Sequence, residues 1–428
     1  MRAAAFCLAF AFVLLPVCSR AEESVNLCTA AQSDNPPAEF YNARGMRAGT
    51  DGWLFSLRNF LPATELNHAA RTQLARLVSH LKAAHITLLV SLIPTRLLLN
   101  EQNLTPEIKA QMQSSPEVIR QSYTSKLADI RAAGTIAPDL LAPLEAHRST
   151  APLFFKRDHH WTPDGAQVAA AALADAFKNL PGIAQIPVHS FSTHVMETRN
   201  HKGSYAVFAE KACSMTVPPE PLELRQTVRT DAGSLLDDSH AAIVLAGTSY
   251  SSDKFNFAGA LEQALGREVA NVSVDGGGID NSIVTYFSST DFAAHKPTFL
   301  LWEMPDRYSF NSDTLWRQII PAINGDCGSD ALASSRTQRI DNLARLNARG
   351  GRDYLFIETG DLALVKFDVE FSYANGQKDV FNMVRSTRAE NNGRFFIELN
   401  DQMTAPLQGI ELKSSPQGSL VMRLCKGT

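Results

Sequence analysis

The residues of this chain that could do chemistry lie in two short segments, at 158–161 and at 247–249. Ser249 places a hydroxyl directly after an apolar run, but a serine is a poor nucleophile unless a base removes its proton. His160 can be that base, and Asp158 can orient the imidazole and stabilise its protonated form. In an extended segment Asp158 and His160 face the same way, whereas His159 points elsewhere. These residue types predict nucleophilic catalysis at Ser249.

Each segment also has a simpler interpretation. A glycine before Ser249 and helix-like residues after it suit a helix N-cap equally well. The segment lacks the last glycine of G-x-S-x-G, and its Asp and His precede the serine, the reverse of the α/β-hydrolase order. A metal centre on Asp158, His159 and His160 is a further alternative, although adjacent histidines diverge on an extended chain. We expect no metal and no cofactor.

A glycine-rich loop at 275–278 follows another predicted strand. Glycines allow backbone N–H groups to approach a ligand and form a concavity that receives an anion. With the N–H of Ser249, Gly276 and Gly277 are candidates for the oxyanion hole of a tetrahedral intermediate. Arg96, at the end of a further predicted strand, could add positive charge there or hold a carboxylate of the substrate. A triple glycine alone is more often only a turn.

A scaffold that brings these segments together is predicted by the middle of the chain. From residue 51 to about residue 324, apolar strands alternate with helical patterns. This alternation indicates an α/β fold with a mostly parallel sheet and helices on both faces. Sites in such sheets form at the carboxyl ends of the strands. The predicted strands are 86–93, 135–139, 241–246, 269–274 and 298–303, and the predicted helices are 66–84, 116–133, 164–178, 257–265, 281–287 and 313–323.

Two other regions have different patterns. Residues 181–240 are poorly patterned and contain several prolines, so we expect a loop insertion there. From residue 336 to residue 428, short alternating segments separated by turn residues predict a small C-terminal β-sandwich. Its predicted strands are 353–358, 363–373, 394–399, 409–412 and 419–424. The chain thus divides into a catalytic domain at 22–330 and a module at 336–428.

The N-terminal residues predict export. Arg2 precedes an apolar segment at 3–17, and a small-x-small site predicts signal cleavage near Ala21. No later apolar run approaches the roughly 20 residues of a membrane span. The formal net charge of -4 gives no global basic field, which argues against a nucleic-acid partner.

Four cysteines remain after the predicted cleavage, and an even number in an exported chain favours two disulfides. Three pairings are open. We favour Cys28–Cys213 and Cys327–Cys425, because each then closes one predicted domain on itself. Four free buried thiols are the alternative.

Taken together, these segments resemble the SGNH-hydrolase-like alginate O-acetyltransferases of the bacterial periplasm, of the AlgX type. The resemblance covers almost the whole exported chain, and its specific part is the DHHWTP and GTS motifs with the later NFAG motif. The segments that carry it are Asp51-Gly52-Trp53-Leu54-Phe55, Pro94-Thr95-Arg96, Asp158-His159-His160-Trp161-Thr162-Pro163, Gly247-Thr248-Ser249, Asn256-Phe257-Ala258-Gly259 and Gly276-Gly277-Gly278.

The resemblance implies that Ser249 carries an acetyl group, with His160 as its base and Asp158 as the orienting acid. The acetyl group would pass to a hydroxyl of an anionic, mannuronate-rich polysaccharide, and the C-terminal region would be a carbohydrate-binding module. The implied partners are a membrane acyl exporter that supplies the acetyl donor and other polysaccharide-assembly proteins. The alternatives are an acetylesterase with the same triad and a polysaccharide-binding scaffold without chemistry.

The chain departs from the family pattern in three places. Phe255 stands where a family member has a tyrosine, and the asparagine of many SGNH oxyanion holes is absent near Arg307. The C-terminal region also lacks an aromatic-basic stretch for sugar contact, for which Phe381, Arg385 and Arg388 are loose substitutes. Five arginines could line one path for the polymer, because guanidinium groups bind uronate carboxylates through two parallel bonds: Arg96, Arg307, Arg385, Arg388 and Arg394. For each single arginine, an ordinary solvated side chain is an equally good interpretation.

Overall fold

The computed structural model describes residues 25–231, 240–346, 348 and 351–427. The predicted signal segment and its cleavage site lie outside these residues. Among the helices that the structure describes, none has both the length and the apolar character that crossing a bilayer requires.

The helices and strands of the described residues follow in chain order. The helices are α1 His68–Ala83, α2 Pro106–Gln111, α3 Pro116–Ala132, α4 Leu141–His147, α5 Pro163–Phe177, α6 Ser204–Cys213, α7 Phe257–Leu265, α8 Asn281–Phe287, α9 Thr290–Ala294 and α10 Asp313–Asn324. The strands are β1 Arg47–Ala48, β2 Leu54–Phe55, β3 Thr87–Ile93, β4 Phe191–His201, β5 Glu220–Arg229, β6 Ile243–Ala246, β7 Ala270–Asn271, β8 Phe299–Pro305, β9 Ala333–Ser335, β10 Arg339–Ile340, β11 Tyr354–Thr359, β12 Lys366–Tyr373, β13 Lys378–Val384, β14 Arg394–Glu398, β15 Leu407–Leu412 and β16 Leu420–Cys425.

A parallel sheet of order β3-β8-β6-β7 forms the centre of the catalytic part. Every residue of β6 and of β8 is buried, as expected for strands covered on both faces. Helix α1 packs against β3, and α8 packs against β6. The predicted α/β fold class is confirmed, and the carboxyl ends of β3, β6 and β8 lie at one edge of the sheet.

Two sequence expectations fail in this part. The predicted strand at 135–139 is reduced to a single bridge between Ile136 and Leu89, because only two backbone hydrogen bonds join this segment to the sheet. The predicted loop at 181–240 instead contains a long antiparallel hairpin, β4–β5, with α6 between its strands. Most residues of β4 are exposed, so the strand has no apolar alternation that sequence analysis could detect.

The C-terminal region contains two four-stranded antiparallel sheets, of order β10-β15-β12-β13 and β14-β11-β16-β9. Their facing side chains form a separate core, as predicted for a sandwich. Alternate residues of β11 pack into two different cores. Leu355 and Ile357 face the sandwich interior, whereas Tyr354 and Phe356 pack into the core around the parallel sheet. Sequence analysis missed β13.

Buried ion pairs join the two parts. Arg317 on α10 binds Asp379 with Nη2–Oδ2 at 2.6 Å and Nη1–Oδ1 at 3.2 Å, and its Nε–H donates to the backbone of Glu398. Arg76 on α1 binds the carboxylate of Glu398. Both preferred disulfides are also present: Cys28–Cys213 ties the N-terminal segment to α6, and Cys327–Cys425 ties the segment after α10 to the end of β16. The second disulfide therefore joins the two parts, whereas we expected it to close one domain on itself.

Candidate active site

Ser249 lies just beyond the carboxyl end of β6, where the chain turns into a short 3-10 helix, Ser249–Ser251. The Thr248 hydroxyl caps this helix by accepting a backbone N–H from its second residue. The turn needs a glycine at 247, because a Cβ on Gly247 would lie 2.5 Å from Oε2 of Glu303. Ser249 itself is partly exposed, although it follows a wholly buried strand.

The histidine segment reaches Ser249 from the turn that precedes α5. His160 Nε2 lies 2.7 Å from Ser249 Oγ, and His160 Nδ1 lies 2.9 Å from Oδ1 of Asp158. The indole N–H of Trp161 donates to the backbone oxygen of Tyr250 at 2.8 Å and so holds the two segments together. The three predicted side chains are therefore in the serine–imidazole–carboxylate order that removal of a hydroxyl proton needs.

The histidine segment is bent, so the expectation that His159 points away is wrong. The backbone N–H groups of His159 and His160 donate to Oδ1 of Asp158 at 2.6 and 3.4 Å, which folds the chain around the carboxylate. The two imidazole rings consequently lie 3.7 Å apart, and Nδ1 of His159 lies 2.8 Å from Ser204 Oγ. A metal ion bound by these residues would have to displace the hydrogen bonds of His160 Nδ1 to Asp158 and of His159 Nδ1 to Ser204.

The electrostatics favour a neutral base beside an ionised acid. Burial lowers the pKa of His160, and the charges of Lys254 and Arg307 lower it further against the opposing effect of Asp158. Burial alone would raise the pKa of Asp158, but the charge of His160 and hydrogen bonds from three histidines hold it well below its usual value. Burial likewise lowers the pKa of His159 to about 3. At neutral pH the central imidazole is therefore free to accept a proton.

Sequence analysis missed two further partners of the acid. His201, the last residue of β4, places Nε2 at 2.8 Å from Oδ2 of Asp158. Ser204, which begins α6, donates its hydroxyl to Oδ1 of Asp158 at 3.1 Å. Both residues belong to the segment predicted as a loop, and neither has a neighbouring motif that would have marked it.

The buried carboxylate of Glu303 on β8 supports the nucleophile turn. It accepts the backbone N–H of Thr248 at 2.7 Å, the Thr248 hydroxyl at 3.0 Å and the Ser251 hydroxyl at 2.8 Å. Burial raises the pKa of Glu303 to about 7, against the opposing effect of these hydrogen bonds. A carboxylate inside an apolar strand was the available sequence signal, because such a charge needs partners.

The glycine loop lies beside the nucleophile turn. The N–H of Val274 donates to the Gly247 carbonyl at 3.1 Å, which continues the parallel register between β6 and β7 toward Ser249. Gly276 follows with a left-handed φ of 72° and stays a candidate oxyanion donor. Gly277 does not, because its N–H already donates to the Val274 carbonyl at 3.0 Å. The prediction for Gly277 is corrected accordingly.

The structure contradicts the prediction that Arg96 contacts substrate. Arg96 is 1% exposed, and its guanidinium donates to the backbone oxygens of Leu54, Phe155 and Lys156. It also lies over the ring of Trp53, with 4.7 Å to the centroid. This guanidinium holds neighbouring loops together inside the core, out of reach of a sugar or an oxyanion.

Two of the predicted sugar-binding residues are also buried. Phe381 is 3% exposed and packs inside the sandwich core. Arg385 is 4% exposed, lies over the ring of Phe395 at 4.2 Å, and donates to the side chain of Asn392 and the backbone of Arg394. Neither can meet a polymer at the surface, so both predictions are corrected.

The other two arginines are better placed. Arg388 is exposed, and its Nη1 would lie only 3.2 Å from a Cβ placed on Gly276, so the module extends a cation over the glycine loop. The backbone N–H of Ser386 donates to Oδ1 of Asn281 at 2.6 Å and anchors this contact. Arg307 is partly buried and close enough to His160 for its charge to lower the pKa of that imidazole.

The comparisons with known proteins agree with one another. Residues 46–306 match the family model described as SGNH hydrolase-like domain, acetyltransferase AlgX. The alginate biosynthesis protein AlgX of Pseudomonas aeruginosa is 29% identical over 419 residues, which cover 92% of this chain and 87% of that protein. The probable alginate O-acetylase AlgJ of Pseudomonas fluorescens is 34% identical over 275 residues, which cover 62% of this chain and 68% of that protein.

Solved structures show the same relationship. A structure of Pseudomonas aeruginosa AlgX superposes with a TM-score of 0.84 at 28% identity, covering 94% of this chain and all of that one. The O-acetyltransferase domain of Pseudomonas putida AlgJ superposes with a TM-score of 0.52 at 29% identity, covering 63% of this chain and 94% of that one. The first match extends across both the catalytic part and the C-terminal sheets.

Proposed function

This chain belongs to the family of SGNH hydrolase-like acetyltransferases of the AlgX type, and from that premise we propose that it O-acetylates alginate or a similar mannuronate-rich polysaccharide in the periplasm. The proposal rests on one observation above all: His160 Nε2 lies 2.7 Å from the partly exposed hydroxyl of Ser249 and is backed by Asp158. This geometry supports acetyl transfer through an acetyl-serine intermediate.

Acylation of Ser249 is the first step. As Ser249 Oγ attacks the carbonyl carbon of an acetyl donor, its proton passes to Nε2 of His160, and ionised Asp158 stabilises the resulting imidazolium. When the tetrahedral intermediate collapses, the bond from carbonyl carbon to the donor's leaving atom breaks, and that atom takes the proton from His160. The N–H groups of Ser249 and Gly276 are the proposed donors to the oxyanion.

Transfer to the polymer reverses these roles. A sugar hydroxyl gives its proton to His160 as its oxygen attacks the acetyl-serine carbonyl. The bond between that carbonyl carbon and Ser249 Oγ then breaks, and Ser249 Oγ recovers the proton. The products are an O-acetylated sugar and the free enzyme, so no cofactor is needed to balance the reaction.

Polymer binding is assigned to the edge where the module meets the catalytic part. Residues 336–428 are proposed as a carbohydrate-binding module. Arg388 beside Gly276 and Arg307 near His160 are proposed to hold uronate carboxylates, which guanidinium groups bind through paired hydrogen bonds. A membrane acyl exporter is the proposed source of the acetyl group, and other polysaccharide-assembly proteins are the proposed partners.

Mass spectrometry after exposure to an acetyl ester tests the intermediate. We expect one added acetyl group on the peptide that contains Ser249 in the wild type and none in Ser249→Ala. Ser252→Ala is the matched control, since it removes a hydroxyl close to the site but outside the triad. Equal labelling of Ser249→Ala and the wild type would refute the proposal.

Adding oligomannuronate separates the competing functions. Acetylated oligosaccharide among the products supports transfer. Release of acetate that is unaffected by the sugar would instead identify an acetylesterase. A binding scaffold without chemistry would leave polymer acetylation in cells unchanged by Ser249→Ala at normal protein abundance.

A further inference from the structure

Imidazole nitrogens lie against both oxygens of the Asp158 carboxylate, and His159 Nδ1 is 3.1 Å from Oδ1. His160 Nδ1 lies 2.9 Å from Oδ1, and His201 Nε2 lies 2.8 Å from Oδ2. The ring of His201 lies against that of Phe155, with 4.6 Å between centroids and 45° between the ring planes, and the residue is partly buried. The exposed hairpin β4–β5 therefore ends on the catalytic acid.

The two carboxylate oxygens of Asp158 have different hydrogen-bond partners. Oδ1 accepts His160 Nδ1, the Ser204 hydroxyl and the backbone of His159, so its position determines how the imidazole faces the serine. Among the hydrogen bonds that the structure describes, Oδ2 has only the one from His201. Without that donor, a buried oxygen would lack a partner, and rotation of the carboxylate would be the way to find one.

We propose that His201 is a positioning residue of the acetyl-transfer reaction, which fixes the rotation of Asp158 so that Oδ1 stays directed at His160. This inference rests on the proposed function, because it concerns the proton transfer between His160 and Ser249. The described contacts of the His201 side chain are with Asp158 and with the rings of Phe155 and Phe255, so it acts on the reaction through Asp158.

The charged and titratable groups around His201 lie on separate elements. Asp158 faces it from the histidine segment, together with His160. Glu220 pairs with it across the hairpin in register, although the Glu220 carboxylate is occupied by the backbone N–H groups of residues 156 and 157. Lys254 and Arg307 act on His160, because their charges lower the pKa of that imidazole.

Removing the donor has two consequences. In His201→Ala, the charged carboxylate of Asp158 loses its hydrogen bond from His201. We expect kcat to fall about 10- to 100-fold with little change in KM. Once the carboxylate can rotate, His160 loses part of the hydrogen bond and of the charge interaction with Asp158 that raise its pKa, so the pKa of that imidazole should fall. The acidic limb of the kcat profile therefore moves to lower pH.

The experiment compares His201→Ala, His201→Gln and Arg199→Ala with the wild type, using acetyl-ester turnover and its pH profile. Glutamine can still donate to Oδ2 of Asp158, so we expect His201→Gln to recover most of the rate and the position of the limb. Arg199 is exposed on the same strand and serves as the matched control, for which wild-type kinetics are expected.

Three results would overturn the inference. The first is wild-type kcat and an unmoved acidic limb in His201→Ala. The second is equal impairment of the alanine and glutamine variants with the limb unchanged, which would indicate a merely structural role. The third is a wild type that forms no acetyl-Ser249, which would overturn the proposed function as well. The first two leave the acetyl-serine of the wild type intact, so the two failures are distinguishable.

Discussion

Replacing Glu303 by glutamine should change how stability depends on pH. Its pKa is raised from the ordinary value of 4.5 to about 7, because the side chain is buried beneath the nucleophile turn. A carboxyl group whose folded pKa is raised binds its proton more tightly in the folded state. Its contribution to stability is complete below pH 4.5 and is lost as the pH rises through 7.

The magnitude follows from the size of this shift. A rise from 4.5 to about 7 corresponds to about 3 kcal/mol in all, most of which falls between pH 5 and pH 8. Glu303→Gln removes the titration but keeps an oxygen that can accept the N–H of Thr248. The variant should therefore lose about 2–3 kcal/mol less than the wild type on going from about pH 5 to about pH 8.

Urea unfolding at the two pH values measures the difference directly. Glu411→Gln is the control, because it removes a carboxylate from an exposed part of the C-terminal module and should follow the wild type. An identical pH dependence in Glu303→Gln and the wild type would refute the reasoning. Glu303→Ala should behave differently again: the Thr248 N–H loses its acceptor, the turn shifts, and acetyl-ester turnover falls about 100-fold.

Three further outcomes follow from the same geometry. Burial lowers the pKa of His160 below the ordinary histidine pKa of 6.5, so the acidic limb of the kcat/KM profile should lie below pH 6.5. Activity is lost as the pH falls through this limb. A pH–rate profile with its acidic limb above pH 6.5 would contradict the prediction. Gly247→Ala should abolish turnover because its Cβ would lie 2.5 Å from Oε2 of Glu303, whereas Gly409→Ala, with its nearest contact at 3.4 Å, should be active. Arg317→Ala should lower the free energy of unfolding by about 3–5 kcal/mol, because it leaves the buried carboxylate of Asp379 unpaired. Urea titration measures this loss, and a loss under about 1 kcal/mol would contradict the prediction.

The triad could be found from sequence because each of its parts carries a local signal. Ser249 follows an apolar strand and a glycine, and His160 precedes a threonine cap and a proline that begin α5. Such signals depend on neighbours in the chain. The parallel sheet was predictable for the same reason, since its strands are buried on both faces and therefore continuously apolar.

His201 and Glu303, which hold the triad and the nucleophile turn in place, have no local sequence signal. His201 ends an exposed strand that has no apolar face, and Glu303 lies on β8, far from the turn that it holds. Each is recognisable only once the chain has folded and placed its side chain against a partner from another segment. Local signals therefore predicted the three proposed reacting groups but not His201 and Glu303, two of the side chains that hold them in place.

The arginines show why residue type alone is a weak guide to binding. A guanidinium has five N–H donors, which suit a uronate carboxylate and a group of backbone carbonyls equally well. Arg96 and Arg385 are used for the second purpose, where they order loops inside the core. Arg388 differs because it is exposed and lies beside Gly276. We therefore propose that an anionic polymer meets the protein at this guanidinium group, next to the glycine loop.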